Sequence, residues 1–254
     1  MVGTGKRGAG AAPGPATSAM IRGYDPCVPA PLSAMTPRSF LLTPELADYV
    51  RAGSEAADDV VTDLLRETAE LAERGEASAT YQIAPEQGTF MQLLTRAVGA
   101  RRAIEIGTFT GYSSLCIARG LPDDGSLLCL DRSAEWTAVA RRYWERAGLA
   151  DRIEVRLGEA LPTLRDLPAT PTFDLAFVDA DKTGYAAYVE ELHPRMTDNG
   201  VVLLDNTLWQ GRVLDPRDRD DVALAELNVA LAADPRWETV LLPLSDGLTM
   251  LRKR

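Results

Sequence analysis

Histidine is almost missing from this chain: His193 is the only one in 254 residues. A serine–histidine–aspartate triad or a zinc site with several imidazole ligands therefore has too few parts to be built. His193 is instead expected to cap the end of a helix. Cysteine is scarce as well. Cys27, Cys116 and Cys129 cannot all pair, and Cys116 and Cys129 sit in apolar runs, which reads as buried thiols in a reducing, cytoplasmic compartment. No apolar run reaches the roughly 18 residues that a membrane-spanning helix needs. Cations are outnumbered, with Lys+Arg 27 against Asp+Glu 37 and a formal charge of −10. Such a balance argues against a general grip on nucleic-acid phosphates or anionic lipid. It is compatible with small cationic ligands and divalent metals. Internal repeats are absent.

What remains is ordinary globular composition, 46% hydrophobic and 25% charged, enough for a full core without staples. Residues 1 to 35 stand apart. They are rich in Gly, Ala and Pro (GAGAAPGPATSA, then CVPAPLSA), with neither a signal-peptide apolar core nor the Arg and Ser pattern of a transit peptide. They read as a disordered tail, with Met35 an alternative start, and residues 36–254 as a single domain.

From Thr43 the pattern changes. Thr43 as N-cap with Pro44 behind it is a helix start. Val61, Leu64, Leu65, Thr68 and Leu71 or Ala72 follow helical spacing, and PEQGTFMQLLTRAV from Pro85 to Val98 reads as a further helix. An alternation of strands and helices comes next. The strand candidates are Ala103–Ile106, Leu127–Leu130, Ile153–Leu157, Leu175–Val178 and Val201–Leu204. Most are short continuous apolar runs, as in strands covered on both faces. The clearest intervening helix, Ala134 to Ala147, carries Trp136, Val139, Ala140, Tyr143 and Ala147 on one face. This order predicts an α/β fold with a parallel, doubly wound sheet. Val240–Leu242, a turn at Ser245-Asp246-Gly247 and Leu248–Leu251 end it as an antiparallel hairpin.

Ligands of doubly wound sheets sit at the carboxyl ends of the strands. The first strand ends in EIGTFTGYS, Glu105 to Ser113, where Gly107 and Gly111 permit a tight turn into a helix. The second ends at Asp131, a position suited to the two hydroxyls of a ribose. A plain glycine turn beside a solvated aspartate is the simpler alternative. Phe109 occupies the place of the middle glycine of G-x-G-x-x-G, which disfavours a dinucleotide pyrophosphate and NAD. S-adenosylmethionine has a ribose, an adenine and no phosphate, and fits.

The fourth strand ends in VDADK, Val178 to Lys182, and the fifth in LDN, Leu204 to Asn206. Neighbouring strand ends lie about 4.8 Å apart, so Asp179, Asp205 and Asn206 can converge as hard oxygen ligands for a cation such as Mg²⁺. Each aspartate alone is more often a surface or turn residue; two acidic strand ends with an Asn beside one of them reverse that weighting. Lys182 is placed to take a proton from a bound phenol; on its own it would be an ordinary solvated lysine. The loop TLWQGRVLDPRDRD follows, and Trp209 with Val213 would make a flat apolar wall for a substrate or pack on the core.

AIEIGTFTGYSS, LLCLDRS, FVDADKTGY, LLDNTLWQGRV and LPLSDGLTMLRKR together resemble the cation-dependent O-methyltransferases of the caffeoyl-CoA type, with catechol O-methyltransferase a more distant relative. The resemblance covers about Met35 to Arg254. It implies a Rossmann-like class I methyltransferase: a seven-stranded, mostly parallel sheet with an antiparallel last strand, extra N-terminal helices, and S-adenosylmethionine as cofactor. Glu105, Gly107, Thr108, Ser113 and Asp131 match cofactor-contacting positions. Ala160 would approach the adenine and Asp181 the methionine end. Asp179, Asp205 and Asn206 match metal ligands, Lys182 the general base with Asp179 beside it, and Trp209 a substrate wall. The resemblance also implies a homodimer. Ile83 stands where plant members carry Thr at a cofactor contact, so a backbone contact survives there and a hydroxyl contact does not. Segments that shape the acyl-CoA pocket of plant members are not recognisable.

The expectation is therefore methyl transfer to one oxygen of a vicinal, catechol-like diol on a small molecule or natural-product intermediate. An NAD-dependent oxidoreductase, or a non-catalytic ligand-binding or dimerisation module on the same fold, is the competing reading.

Overall fold

The apolar runs line up side by side. The computed structural model describes residues 43–54, 57–78 and 81–254; the Gly/Ala/Pro-rich segment 1–35, with Cys27 and Met35, lies outside the described residues. Five parallel strands, β1 (Arg102–Ile106), β2 (Ser126–Asp131), β3 (Ile153–Leu157), β4 (Phe173–Val178) and β5 (Met196–Leu204), are joined by β6 (Trp237–Leu242) and β7 (Leu248–Lys253). The order across the sheet is β3-β2-β1-β4-β5-β7-β6. β7 runs antiparallel to both β5 and β6, so the expected closing hairpin is present. β5 begins five residues earlier than its apolar run, at Met196 rather than Val201. Asp198 and Asn199 are exposed there, where the pairing with β4 shifts register between Phe173 and Leu175, and this polar break hides the strand's start at the buried Met196.

Side chains of a strand alternate between faces, and the sheet uses both. Ala103, Leu175, Phe177, Val201 and Leu203 pack under α2 (Asp59–Glu73), α3 (Pro85–Ala97), α4 (Tyr112–Gly120) and α5 (Ala134–Arg146). Ile104, Ile106, Ala176, Val178, Val202 and Leu204 pack under α6 (Ala160–Asp166), α7 (Tyr185–Leu192) and α8 (Arg219–Ala233). Each fully buried aliphatic side chain in these layers contributes about 1.5–3 kcal/mol. Two-sided burial is why the central strands read as unbroken apolar runs.

Helix starts follow local chemistry. Thr43 caps α1 (Pro44–Ala52) by accepting from Leu46 N at 3.4 Å. Asp58 caps α2 by accepting from Val61 N at 2.9 Å, and Ser133 caps α5 by accepting from Trp136 N at 3.1 Å; such caps are each worth about 1 kcal/mol. Asp218 and Asp221 form a reciprocal capping box on α8. His193 is the C-cap of α7, stacked edge-on to Trp237 with ring centroids 5.1 Å apart. One expected face needs correction. In α5 the buried set is Thr137, Val139, Ala140, Tyr143 and Trp144, while Trp136 turns toward the carboxyl end of the sheet. Cys116 and Cys129 are buried free thiols. Among the described residues no helix is long and apolar enough to cross a membrane.

Candidate active site

Strand order reverses direction between β1 and β4, and crevices in such sheets open outside the carboxyl ends at that point. A cavity of about 580 Å³ lies there, within the size range of small-molecule sites. One end is built by the turn after β1. Gly107 has φ +88°, and a Cβ on it would lie 2.0 Å from the carbonyl oxygen of Asp179. Only glycine fits this contact. Gly107 N donates to Leu130 O at 2.9 Å and Asp179 N to Ile106 O at 2.8 Å, so the ends of β1, β2 and β4 are held together.

Asp131 ends β2 and reaches back to this turn. Its Oδ2 accepts from Thr108 N at 2.8 Å and Phe109 N at 2.9 Å, and its Oδ1 accepts from Ser133 N at 2.7 Å. Turn amides of this kind are what a dinucleotide pyrophosphate uses. Here a carboxylate already occupies them, and its charge repels a phosphate. Carboxylate oxygens have lone pairs to spare, so ribose hydroxyls can still donate to Asp131. The residues therefore fit a phosphate-free nucleoside cofactor.

Ile83, Gly107, Thr108, Ser113, Asp131, Ala160 and Asp181 all line the cavity. Ile83 is buried there as an apolar wall, Ala160 is the first residue of α6, and Asp181 Oδ1 accepts from Tyr188 Oη at 2.6 Å. Glu105 is placed differently from the expected cofactor contact. It lies fully buried behind the turn and is not on the cavity wall, because strand alternation puts it on the same face as Ala103, under α4. Its Oε2 accepts from Cys129 Sγ at 3.4 Å and its Oε1 has no partner among the described residues. Burial pushes its pKa up to about 8, so the group is a neutral acid at pH 7.

Three aromatic rings that the sequence pattern did not bring together meet beside the turn. Phe109 lies edge-to-face with Trp136, centroids 5.0 Å apart, and with Tyr81 at 5.6 Å, while Tyr81 and Trp136 are 5.8 Å apart. All three line the cavity. Phe109 adopts φ +52°, which aims its ring outward at the cost of about 1–2 kcal/mol. The one sequence signal for this cluster was Phe109 in a glycine's place.

The other end is built by the ends of β4 and β5. Lys182 opens a short 3-10 turn after β4 and is buried, 7% exposed. Its Nζ donates to Asp179 Oδ1 at 3.0 Å, Asn206 Oδ1 at 2.7 Å and Tyr185 Oη at 2.6 Å. Tyr185, three residues on, is a member of the site that composition did not single out; it is anchored by the carbonyls of Val178 and Asp205, each 3.1 Å from its Oη. Asp205 is 2% exposed and lies behind the wall rather than on it. Its Oδ1 accepts from Asn206 N at 2.8 Å. Burial, then repulsion from Asp179, raises its pKa. Trp209 covers this point, with Lys182 Nζ 5.5 Å from the centroid of its ring. Val213 packs partly buried against the α6–α8 core layer.

Among the described residues no cluster of three or more His, Cys, Asp or Glu stands ready for a metal. The oxygens that meet, at Lys182 Nζ, are instead a carboxylate of Asp179 and the amide oxygen of Asn206, with the Asp205 carboxylate behind them and close enough to Asp179 to be repelled by it. That hard oxygen set suits a divalent cation, and the crowding of Asp179 against Asp205 is relieved by positive charge between them. The residues fit a cation, and at present the Lys182 ammonium supplies that charge.

A mostly parallel sheet closed by an antiparallel strand, with a glycine turn whose amides are engaged by Asp131 and an acidic far end to its crevice, is an α/β fold of the Rossmann-like class. Comparison with known proteins narrows this. A family model described as O-methyltransferase matches residues 52–254. The chain is similar to caffeoyl-CoA O-methyltransferase 2 of Petunia hybrida, 42% identical over 182 residues that cover 66% of this chain and 74% of that protein. Among solved structures it resembles an O-methyltransferase from Bacillus cereus in complex with SAH, 31% identical with TM-score 0.74, covering 83% of this chain and 97% of that one. It also resembles TomG of Streptomyces achromogenes, solved with SAM, 29% identical with TM-score 0.72, covering 82% and 96%. The chain belongs to the O-methyltransferase family, and the reaction that goes with it is S-adenosylmethionine-dependent methyl transfer to an oxygen. The oxidoreductase and non-catalytic readings fall with that result.

Proposed function

We propose that the acceptor is a vicinal, catechol-like diol and that Asp179, Asp205 and Asn206 hold a divalent cation, Mg²⁺ by the hardness of the donors, that engages it. One observation carries this reading. Oxygens from two neighbouring strand ends, Asp179 Oδ1 and Asn206 Oδ1, both lie within 3.0 Å of a single point, the Lys182 ammonium, at the inner end of the cavity. When bound, the cation would supply a charge that favours ionisation of an adjacent hydroxyl.

The chain's own residues do the rest. Asp131, with Gly107, Thr108 and Ser113, seats the nucleoside half of the donor, with Ala160 toward its adenine and Asp181 at the methionine end. Trp209 offers a flat face to an aromatic acceptor. As the neutral amine, its own charge replaced by that of the cation, Lys182 Nζ, held beside Tyr185 Oη, would receive the proton of the reacting hydroxyl. Transfer then depends on alignment and on exclusion of water rather than on a covalent enzyme intermediate. The lack of recognisable acyl-CoA pocket segments supports a small diol over a CoA ester.

The test is a gain of one methyl by mass when protein, S-adenosylmethionine and Mg²⁺ meet a panel of catechols, hydroxycinnamoyl thioesters and polyketide diols. Asp205→Ala is expected to lower kcat/KM by about 10³-fold or more, the scale of losing a principal electrostatic group, while binding of S-adenosylhomocysteine by calorimetry stays within a few-fold. Full activity after both that change and exhaustive chelation refutes the metal assignment.

A further inference from the structure

The acceptor wall sits on an unusual piece of backbone. Trp209, Gln210 and Gly211 follow one another in the left-handed region, with φ of +49°, +53° and +80°. Two of the three are not glycine, so this path is unfavourable in isolation and persists only where surrounding contacts impose it. Two side chains far apart in sequence supply those contacts. Asp246, in the turn between β6 and β7, accepts from Gln210 N through Oδ1 at 2.6 Å, and its own carbonyl accepts from Leu208 N at 2.9 Å. Arg212 stacks on the Trp209 indole, its guanidinium carbon 4.9 Å from the ring centroid. The same guanidinium reaches Asp218 at 3.3 Å and the fully buried Asp221 at 3.2 Å, both in the N-terminal capping box of α8. Asp246 and Arg212 both line the cavity. Both fall within quoted sequence motifs, Arg212 in LLDNTLWQGRV and Asp246 in LPLSDGLTMLRKR, yet neither was expected as a site residue.

We infer that Asp246 and Arg212 are positioning residues that pin the loop 207–212, one through the Gln210 amide and the other through the Trp209 ring, and so set where the Trp209 indole stands over Lys182, which decides how an acceptor lies and which of its two hydroxyls is methylated. One pin holds the backbone on one side of Trp209 and the other holds its ring. With either removed, the loop relaxes from the left-handed path and the wall moves. Donor seating at Gly107 and Asp131 involves neither pin, so cofactor affinity is independent of them. The regiochemical part of this inference rests on the vicinal-diol reading; the pinning does not.

The experiment compares wild type, Asp246→Ala, Asp246→Asn, Arg212→Ala, Arg212→Lys and Trp209→Ala with an unsymmetrical catechol. Asp246→Ala and Arg212→Ala are expected to raise the acceptor KM about tenfold, the scale of releasing one strained contact. Both are also expected to shift the ratio of the two monomethyl products toward that of Trp209→Ala, with S-adenosylhomocysteine affinity within twofold of wild type. Asp246→Asn keeps an oxygen for Gln210 N and should restore the wild-type ratio. Lysine at 212 retains charge without the planar stack and should restore it only in part. If Asp246→Ala fails to fold, the Arg212 pair carries the comparison. An unchanged product ratio in both alanine variants, or Asp246→Asn behaving as Asp246→Ala, overturns the inference. If wild type methylates no vicinal diol, the functional reading fails by itself. Hydrogen exchange across 207–212 then still decides, because pins that matter must leave that segment faster-exchanging when removed, whatever the acceptor is.

Discussion

Glu105 offers the most demanding test of the electrostatics. Its carboxyl is fully buried and its pKa stands at about 8 against an ordinary 4.5. The folded chain therefore binds a proton that the unfolded chain releases between those two values. A raised folded-state pKa means the contribution is fully present below pH 4.5, is lost progressively as pH rises, and is gone above about 8. At ~1.4 kcal/mol per pH unit the whole span is worth about 5 kcal/mol, a large share of a domain's typical ~5–15 kcal/mol. Glutamine has the shape of the neutral acid and does not titrate. Glu105→Gln should then gain on wild type by several kcal/mol between pH 5 and pH 8.5, read from urea unfolding of the ligand-free protein at each pH. Subtracting the two curves removes every other titrating group. A stability difference that stays flat across that range refutes the neutral buried acid.

Other outcomes follow from the same geometry. Gly107→Ala places a methyl 2.0 Å from the Asp179 carbonyl at φ +88°; it should cost about 3 kcal/mol or more, beyond a simple left-handed penalty of about 1–2, and abolish donor binding, as thermal melts and calorimetry will show. Trp136→Ala removes one ring of a three-ring cluster. At about 0.5–1.5 kcal/mol per edge-to-face pair the loss should be about 1–3 kcal/mol by urea unfolding, with weaker S-adenosylhomocysteine binding, whereas a purely superficial tryptophan would change neither.

Much of the fold was legible because burial on both faces leaves a mark in one dimension. β1 to β4 and the closing hairpin all begin as apolar or alternating runs, and only their ends move by a residue or a few. β5 shows the limit: Met196 is a buried core residue, but the polar stretch Thr197 to Asn199 falls where the pairing with β4 shifts register and splits the strand's apolar run in two. At the site, residues at strand ends were legible because topology alone sends them to the crevice. Layering was not. Glu105 and Asp205 carry motif positions, yet alternation and backbone direction place them behind the wall. Asp246 and Gln210 are 36 positions apart and meet only in three dimensions. Trp136 fits a helical stripe as well as Trp144 does, and no periodicity decides which of two neighbouring faces a cavity will take.

The contact of Gly107 with the Asp179 carbonyl welds the seat proposed for the nucleoside to the seat proposed for the ion through main chain. Their separation is thus set by peptide geometry and cannot be tuned by exchanging side chains. The loop that carries Trp209 has no such weld; it hangs between two fasteners, both replaceable by single substitutions. Relatives that accept differently shaped alcohols should therefore differ chiefly in that hinged panel and its fasteners, and hardly at all across the bolted joint.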